Sequence, residues 1–386
     1  MADTLPTLKQ QLAQLVASPS VSATDPKLDM GNRGVVDLLA AWLETLGFSV
    51  ELMPLPGQPH KANMIATLSS GGPADGGLVL AGHTDTVPYD DGRWQSDPFK
   101  LDDRDNRFYG LGSTDMKGFF PIAIEAARTF VGKPLRQPLI ILATADEETS
   151  MDGARALVEA ARPRARYAVI GEPTGLKPIH MHKGMMMESI RITGRAGHSS
   201  NPALGASALE AMHDAISTLL RVRAEWQAQY RNPGFAVPVP TMNLGCIHGG
   251  DNPNRICGHA ELQFDVRPLP GMPLDELRAE LDRRLHAAVA DEKISLEYGP
   301  IFRGTEAFAQ ERTAELVRVA EKLTGHSAES VAFATEAPYF KSMGMDTIVL
   351  GPGDIDQAHQ PDEYLGQDRI QPMVKVLEGL IAQFCL

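Results

Sequence analysis

Along the first 180 residues, apolar and polar positions fall into two kinds of block. Short continuous apolar runs at 77–81, 139–145 and 167–170 show no periodicity, as strands buried on both faces do. Between them apolar residues recur at helical spacing over 33–46, 118–129 and 154–161, and the first of these stops at Gly47. Leu8, Leu12, Leu15 and Val16 share one face of an opening helix. Strand and helix in alternation predict an open α/β sheet, whose functional residues belong outside the carboxyl ends of its strands.

From about residue 183 the pattern changes. A strand at 185–196, a helix at 206–229, strands at 241–247 and 258–266, a helix at 274–290 and a strand at 294–298 follow one another. That β-α-β-β-α-β order is the ferredoxin-like unit. A helix at 314–324, a strand at 347–350 and a helix at 371–384 then resume the first pattern. The chain therefore reads as a small domain, 183–298, inserted into a larger one built from 1–182 and 299–386. Its 386 residues exceed the roughly 250–300 at which one core stops growing. No internal repeat or low-complexity tract interrupts this organisation.

Composition narrows the class of partner. With 43% hydrophobic and 22% charged residues the chain reads as soluble and globular. A net charge of -13 argues against nucleic acid or an anionic membrane and suits cationic or small partners, among them a small-molecule substrate. No apolar run reaches the roughly 18 residues of a spanning helix, and the first residues lack a basic leader before an apolar core. A cytoplasmic location is expected. Cys246, Cys257 and Cys385 have no zinc-finger spacing and read as reduced, packed thiols.

The candidate chemistry sits directly after the predicted strands. His83 and Asp85 follow 77–81, Asp115 precedes the helix at 118, and Glu147 and Glu148 follow 139–145. Glu172 follows 167–170, and His359 follows 347–350. Taken singly, a loop histidine is rarely a ligand and an aspartate before a helix is most often a cap. Independent caps would have no reason to share one rim, whereas metal ligands would. Imidazole and carboxylate without thiolate fit zinc, cobalt or manganese. Two histidines and three carboxylates are too many for one catalytic zinc, but they suit two metals about 3.5–4 Å apart with one bridging carboxylate. Side chains leaving a strand point different ways, so one of Glu147 and Glu148 is expected as a ligand and the other as a base. The residues alone do not decide which. Asp85, two positions beyond His83, is expected to accept the other ring N–H.

The stretches GHTDTVP, GLGSTDMKG, ADEE, GEPT, GHSS and AHQPDE resemble the co-catalytic zinc amidohydrolases. The likeness extends over nearly the whole chain, through SVSAT, NLGCIHGGDNPNRIC and RPLPGM. It implies a zinc-exopeptidase-like α/β catalytic domain, its open central sheet flanked by helices, with the ferredoxin-like insert as lid and dimerisation domain. By the same resemblance His83, Asp115 and Glu172 would hold one metal, and Asp115, Glu148 and His359 the other. Glu147 would be the base, with Asp85 a catalytic neighbour. His198 would stabilise an oxyanion, Asn254 and Arg255 would hold a substrate carboxylate, and Glu336, Gly351 and Gly353 would line the cleft. Glu336 is the candidate for a substrate ammonium.

The implied reaction is hydrolysis of an N-acyl amino acid by a homodimer, with N2-acetyl-L-ornithine in arginine biosynthesis as the first substrate. Another acyl amino acid, a succinylated diamino acid or a dipeptide is the alternative. A metal-binding protein without turnover is the remote one, since neither base nor ligand is missing. Gly184 and Met185 to Met187 depart from the more polar run expected near the hinge.

Overall fold

The computed structural model describes residues 5–69, 71, 76–90 and 92–386; residues 1–4 of the expected first domain lie outside the described residues. The chain divides into two compact units. One comprises Met1–His180, Gln310–Glu329 and Thr335–Leu386, and the other Met181–Ala309 and Ser330–Ala334.

In the first unit the strands Leu139–Thr144, Leu78–His83, Tyr167–Ile170 and Asp346–Val349 lie side by side and parallel. Every residue of the first three is buried, which is why their sequences are continuous apolar runs. The sheet is mixed rather than wholly parallel. A hairpin of Ser49–Leu55 and Gln58–Leu68 pairs antiparallel beside Leu139–Thr144. Helices Leu8–Val16, Arg33–Thr45, Phe119–Arg128 and Ile370–Cys385 bury their apolar faces in one core with this sheet, through Leu12, Leu39, Phe120 and Leu377 against Leu80 and Ile141. The first helix begins in a capping box, with Thr7 and Gln10 each accepting from the other's backbone N–H. A three-stranded antiparallel sheet of Asp102–Arg104, Arg107–Tyr109 and Tyr364–Gly366 ties a late loop to the chain before Phe119–Arg128.

The second unit has a four-stranded antiparallel sheet in the spatial order Thr241–Gly249, His259–Arg267, Met186–Thr193, Ser295–Pro300. Along His259–Arg267, Ala260, Leu262, Phe264 and Val266 alternate inward, as a sheet covered on one face requires. Helices Ala208–Gln229 and Leu274–Ala288 cover that face, burying Leu219, Trp226 and Leu281. Met186 belongs to this core, while Met185 and Met187 are half-buried, so the methionine run is mainly packing. No helix among the described residues is long and apolar enough to cross a membrane.

Candidate metal centre

The carboxyl ends of the parallel strands deliver the candidate ligands to one place. His83 is the last residue of its strand. Asp146, at φ 58°, turns the chain after Leu139–Thr144 into Glu147 and Glu148. Glu172 follows Tyr167–Ile170, and His359, at φ 57°, follows Asp346–Val349. Asp115 is central. Its Oδ1 lies 3.1 Å from His83 Nε2 and its Oδ2 lies 3.3 Å from His359 Nε2. Glu148 reaches His359 Nε2 at 3.1 Å, and Glu172 Oε1 stands 3.8 Å from His83 Nε2. Two oxygens of one carboxylate thus address two imidazoles, the disposition a bridging ligand needs.

Two donor groups converge here, His83 with Glu147 and Glu172, and His83 with Asp115 and Glu148; within each group the donor atoms lie within 4.8 Å of one another. Electrostatics tests whether cations suit them. Burial, then the charge of Glu172, raises the Glu147 carboxyl well above its ordinary value. Burial and the charges of Asp115 and Glu148 do the same to Glu172, and burial with Asp115 raises Glu148. Glu172 Oε1 is buried without a hydrogen-bond partner. A buried carboxylate oxygen left unpaired among like charges is costly unless positive charge meets it. Of the neighbouring imidazoles, His359 is raised to about 10 by hydrogen bonds to Asp115 and Glu148. An oxygen and nitrogen donor set with this excess of carboxylate fits divalent metal ions.

Two expectations are corrected. Asp85 meets His83 through its backbone: the carbonyl accepts the Nδ1–H at 2.9 Å, whereas the carboxylate stands 3.7 Å away. That bond leaves Nε2 toward Asp115. The Asp85 carboxylate instead accepts the backbone N–H groups of Glu147 at 3.3 Å and Glu148 at 3.0 Å, so it seats the adjacent glutamates. Gly351 and Gly353 pack closely against protein: a Cβ on Gly351 would fall 2.2 Å from the Gly171 carbonyl oxygen. Their loop holds the turn after Glu172 through Leu176 N–H to Gly351 O at 3.0 Å and Gly175 N–H to Gly353 O at 2.7 Å. Glu336 does not line an open cleft. It has no exposed surface, its Oε2 accepts the Thr144 hydroxyl at 2.9 Å, and burial pushes it up to about 7.

Supporting residues escaped the sequence reading. Lys61 is buried with its Nζ 2.7 Å from Asp146 and 2.8 Å from Asp29, and Ser22 donates to Asp146 at 2.9 Å. Asn63 accepts from Ala145 N–H at 3.1 Å and donates to the Gly153 carbonyl at 2.9 Å. Together they brace the turn that bears Glu147. Glu363 accepts backbone N–H groups from the turn that bears Asp115. Its proximity to His359 in AHQPDE was the one available signal.

In the second unit His198 and Arg255 are direct partners on the ladder of Gly197–His198 with Arg255–Ile256. His198 Nδ1 lies 2.8 Å from the Ser200 hydroxyl, Arg255 is paired with Asp251, and the Asn254 carbonyl accepts the Ser199 N–H at 3.1 Å. An open depression of about 950 Å³ in this unit is lined by Ser199, Glu210, Asn252 and Arg255 among others.

A chain of this fold carrying this donor cluster falls in the class of metal-dependent hydrolases, and comparison defines the family. Residues 79–383 match the profile of the peptidase family M20/M25/M40, and the chain belongs to that family. It is 48% identical over 386 residues to the acetylornithine deacetylase of Pasteurella multocida (strain Pm70), covering 99% of each chain. It is 49% identical over 381 residues to the acetylornithine deacetylase of Edwardsiella ictaluri (strain 93-146), covering 99% of this chain and 98% of that one. The fold is shared with an M20 family metallo-carboxypeptidase, Sso-CP2, from Sulfolobus solfataricus, with a TM-score of 0.76 at 17% identity over 97% of this chain and 98% of that one.

Proposed function

We propose that the protein is a two-metal amidohydrolase that converts N2-acetyl-L-ornithine and water to L-ornithine and acetate, a step of arginine biosynthesis. The observation that carries the reaction type is the divided carboxylate of Asp115, one oxygen toward His83 and the other toward His359. Full-length relatives at 48% and 49% identity, both named acetylornithine deacetylase, support the substrate.

His83, Asp115 and Glu172 would hold one ion and Asp115, Glu148 and His359 the other, with zinc the best match and cobalt or manganese compatible. When bound, such ions polarise the acetyl carbonyl and make water a nucleophile near neutral pH. Glu147 takes the proton from that water on its carboxylate and returns it to the departing amine nitrogen. Asp85 keeps Glu147 in place through the backbone N–H it accepts. In the lid, residues 183–298, His198 donates a hydrogen bond to the developing oxyanion from its own subunit or from the partner's in a homodimer. Arg255 and Asn254 hold the α-carboxylate, which the planar guanidinium can meet with two parallel hydrogen bonds. The cytoplasm is the site of action, and the free thiols of Cys246, Cys257 and Cys385 suit its reducing conditions.

The test is the initial rate of free-amine release from N2-acetylornithine, N-succinyl-diaminopimelate and acetylmethionine, with and without a chelator. Fast, chelator-sensitive release from acetylornithine is expected. Chelator-sensitive release from the other two alone overturns the substrate, and silence on all three overturns the hydrolase reading.

A further inference from the structure

Glu363 has no part in the chemistry above, yet its carboxylate is fully engaged next to it. The side chain is buried, at 2% exposure. Its Oε2 accepts the Gly112 N–H at 3.0 Å, and its Oε1 accepts the N–H groups of Thr114 at 2.8 Å and Asp115 at 2.9 Å. The contact is reinforced from both sides. The Glu363 carbonyl accepts the Gly110 N–H at 3.0 Å, and the Thr114 hydroxyl donates to the Tyr364 carbonyl at 2.7 Å.

Glu363 lies four residues beyond His359 on the same loop. A single segment therefore delivers His359 and also grips the backbone of Asp115. The distance of 3.3 Å between His359 Nε2 and Asp115 Oδ2 depends on these two pieces of chain staying in register. Glu148, the third candidate ligand on that side, arrives from the turn seated by Asp85 and has no hydrogen bond to Glu363.

We propose that Glu363 is a positioning residue for the bridge: by holding three consecutive-turn N–H groups it fixes Asp115 against His359 and so sets the affinity of the ion on the His359 side. The proposal rests on the two-metal reading. The side chain suits the task because both its oxygens accept here, whereas the amide nitrogen of glutamine would face an N–H group. Loss of a partner that orients metal ligands typically costs about 10–100-fold in metal affinity.

The test uses full-length, chelator-stripped protein titrated with zinc by calorimetry, for the wild type and for Glu363→Gln, Glu363→Ala and Glu363→Asp. Thermal unfolding is recorded for each protein without metal. The wild type should take up two ions. In Glu363→Gln, one should bind with wild-type affinity and the other about 10–100-fold more weakly, with Glu363→Asp intermediate because it restores two acceptor oxygens at shorter reach. Should Glu363→Ala fail to fold, the nearly isosteric glutamine variant carries the measurement. Two ions bound by Glu363→Gln at wild-type affinities, whatever its loss of thermal stability, would leave Glu363 a structural staple and overturn the proposal. Equal weakening of both ions overturns its assignment to the His359 side. Fewer than two ions in the wild type overturns the two-metal reading itself, a failure visible without any variant.

Discussion

Replacing Lys61 by methionine removes the positive member of a buried ion pair while keeping most of the side chain's length. Lys61 and Asp146 are 4% and 3% exposed, and Lys61 Nζ lies 2.7 Å from Asp146. The same pair on the surface would contribute about 0–1 kcal/mol. Buried, the loss of one partner costs about 3–5 kcal/mol, because the remaining charge is stranded away from water. Asp29, whose side chain is 20% exposed, can turn partly to solvent, and Asp146 keeps the Ser22 hydroxyl at 2.9 Å. The low end of that range, about 3 kcal/mol, is therefore expected. With a urea dependence of about 3 kcal/mol per molar, the midpoint falls by about 1 M. The assay is the fluorescence of Trp42, buried in the core of the first unit, in a background where Trp94 and Trp226 are phenylalanine. Adding Asp146→Asn to the Lys61→Met protein removes the stranded charge and should recover most of the loss. A shift below about 0.3 M, or no recovery in the double variant, would show that no buried charge is stranded at Asp146.

Glu147→Gln should lower kcat by about 10²–10⁴-fold while the bound-metal content by elemental analysis stays unchanged; near-normal turnover would remove Glu147 as the base. His198→Ala should lower kcat by about 100-fold or more with little change in KM, measured by amine release. His182 supplies a pH test in the second unit. Burial lowers it from 6.5 to about 4. Above pH 6.5 the ring is neutral in both folded and unfolded chains and has no effect. As pH falls from 6.5 toward 4 the unfolded chain takes up a proton that the folded chain refuses, so up to about 3 kcal/mol of stability is lost. Urea midpoints across that window should fall less steeply in His182→Asn than in the wild type; parallel slopes would contradict this.

The sequence was most readable where burial and chemistry left the same mark. Leu78–His83 and Leu139–Thr144 are covered on both faces, so they stand out as apolar runs, and polar residues at their ends are conspicuous. The hairpin strand Gln58–Leu68 was not recognised because Lys61 and Asn63 interrupt its buried stretch. Those two polar side chains point inward to brace Asp146, Ala145 and Gly153. The strands Asp102–Arg104, Arg107–Tyr109 and Tyr364–Gly366 have three residues each, too few to show a period.

Residues that act on backbone were the hardest to read. Asp85 and Glu363 grip N–H groups, which every residue but proline carries, so no partner type marks them in the sequence. Glu336 illustrates the converse. A glutamate at the start of the helix Ala337–Ser342 looks the same in sequence whether it faces a cleft or, as here, is sealed beneath Thr144. Spacing does not choose between Glu147 and Glu148 as ligand either, and both stand among the converging donors.

Anomalous diffraction from zinc-loaded crystals reads the metal positions directly. Two peaks are expected about 3.5–4 Å apart, one on each side of the Asp115 carboxylate. One should be bound by His83 and Glu172 and the other by Glu148 and His359, with Glu147 outside both coordination shells. A single peak, or a pair that Asp115 does not bridge, would contradict a two-metal site bridged by Asp115.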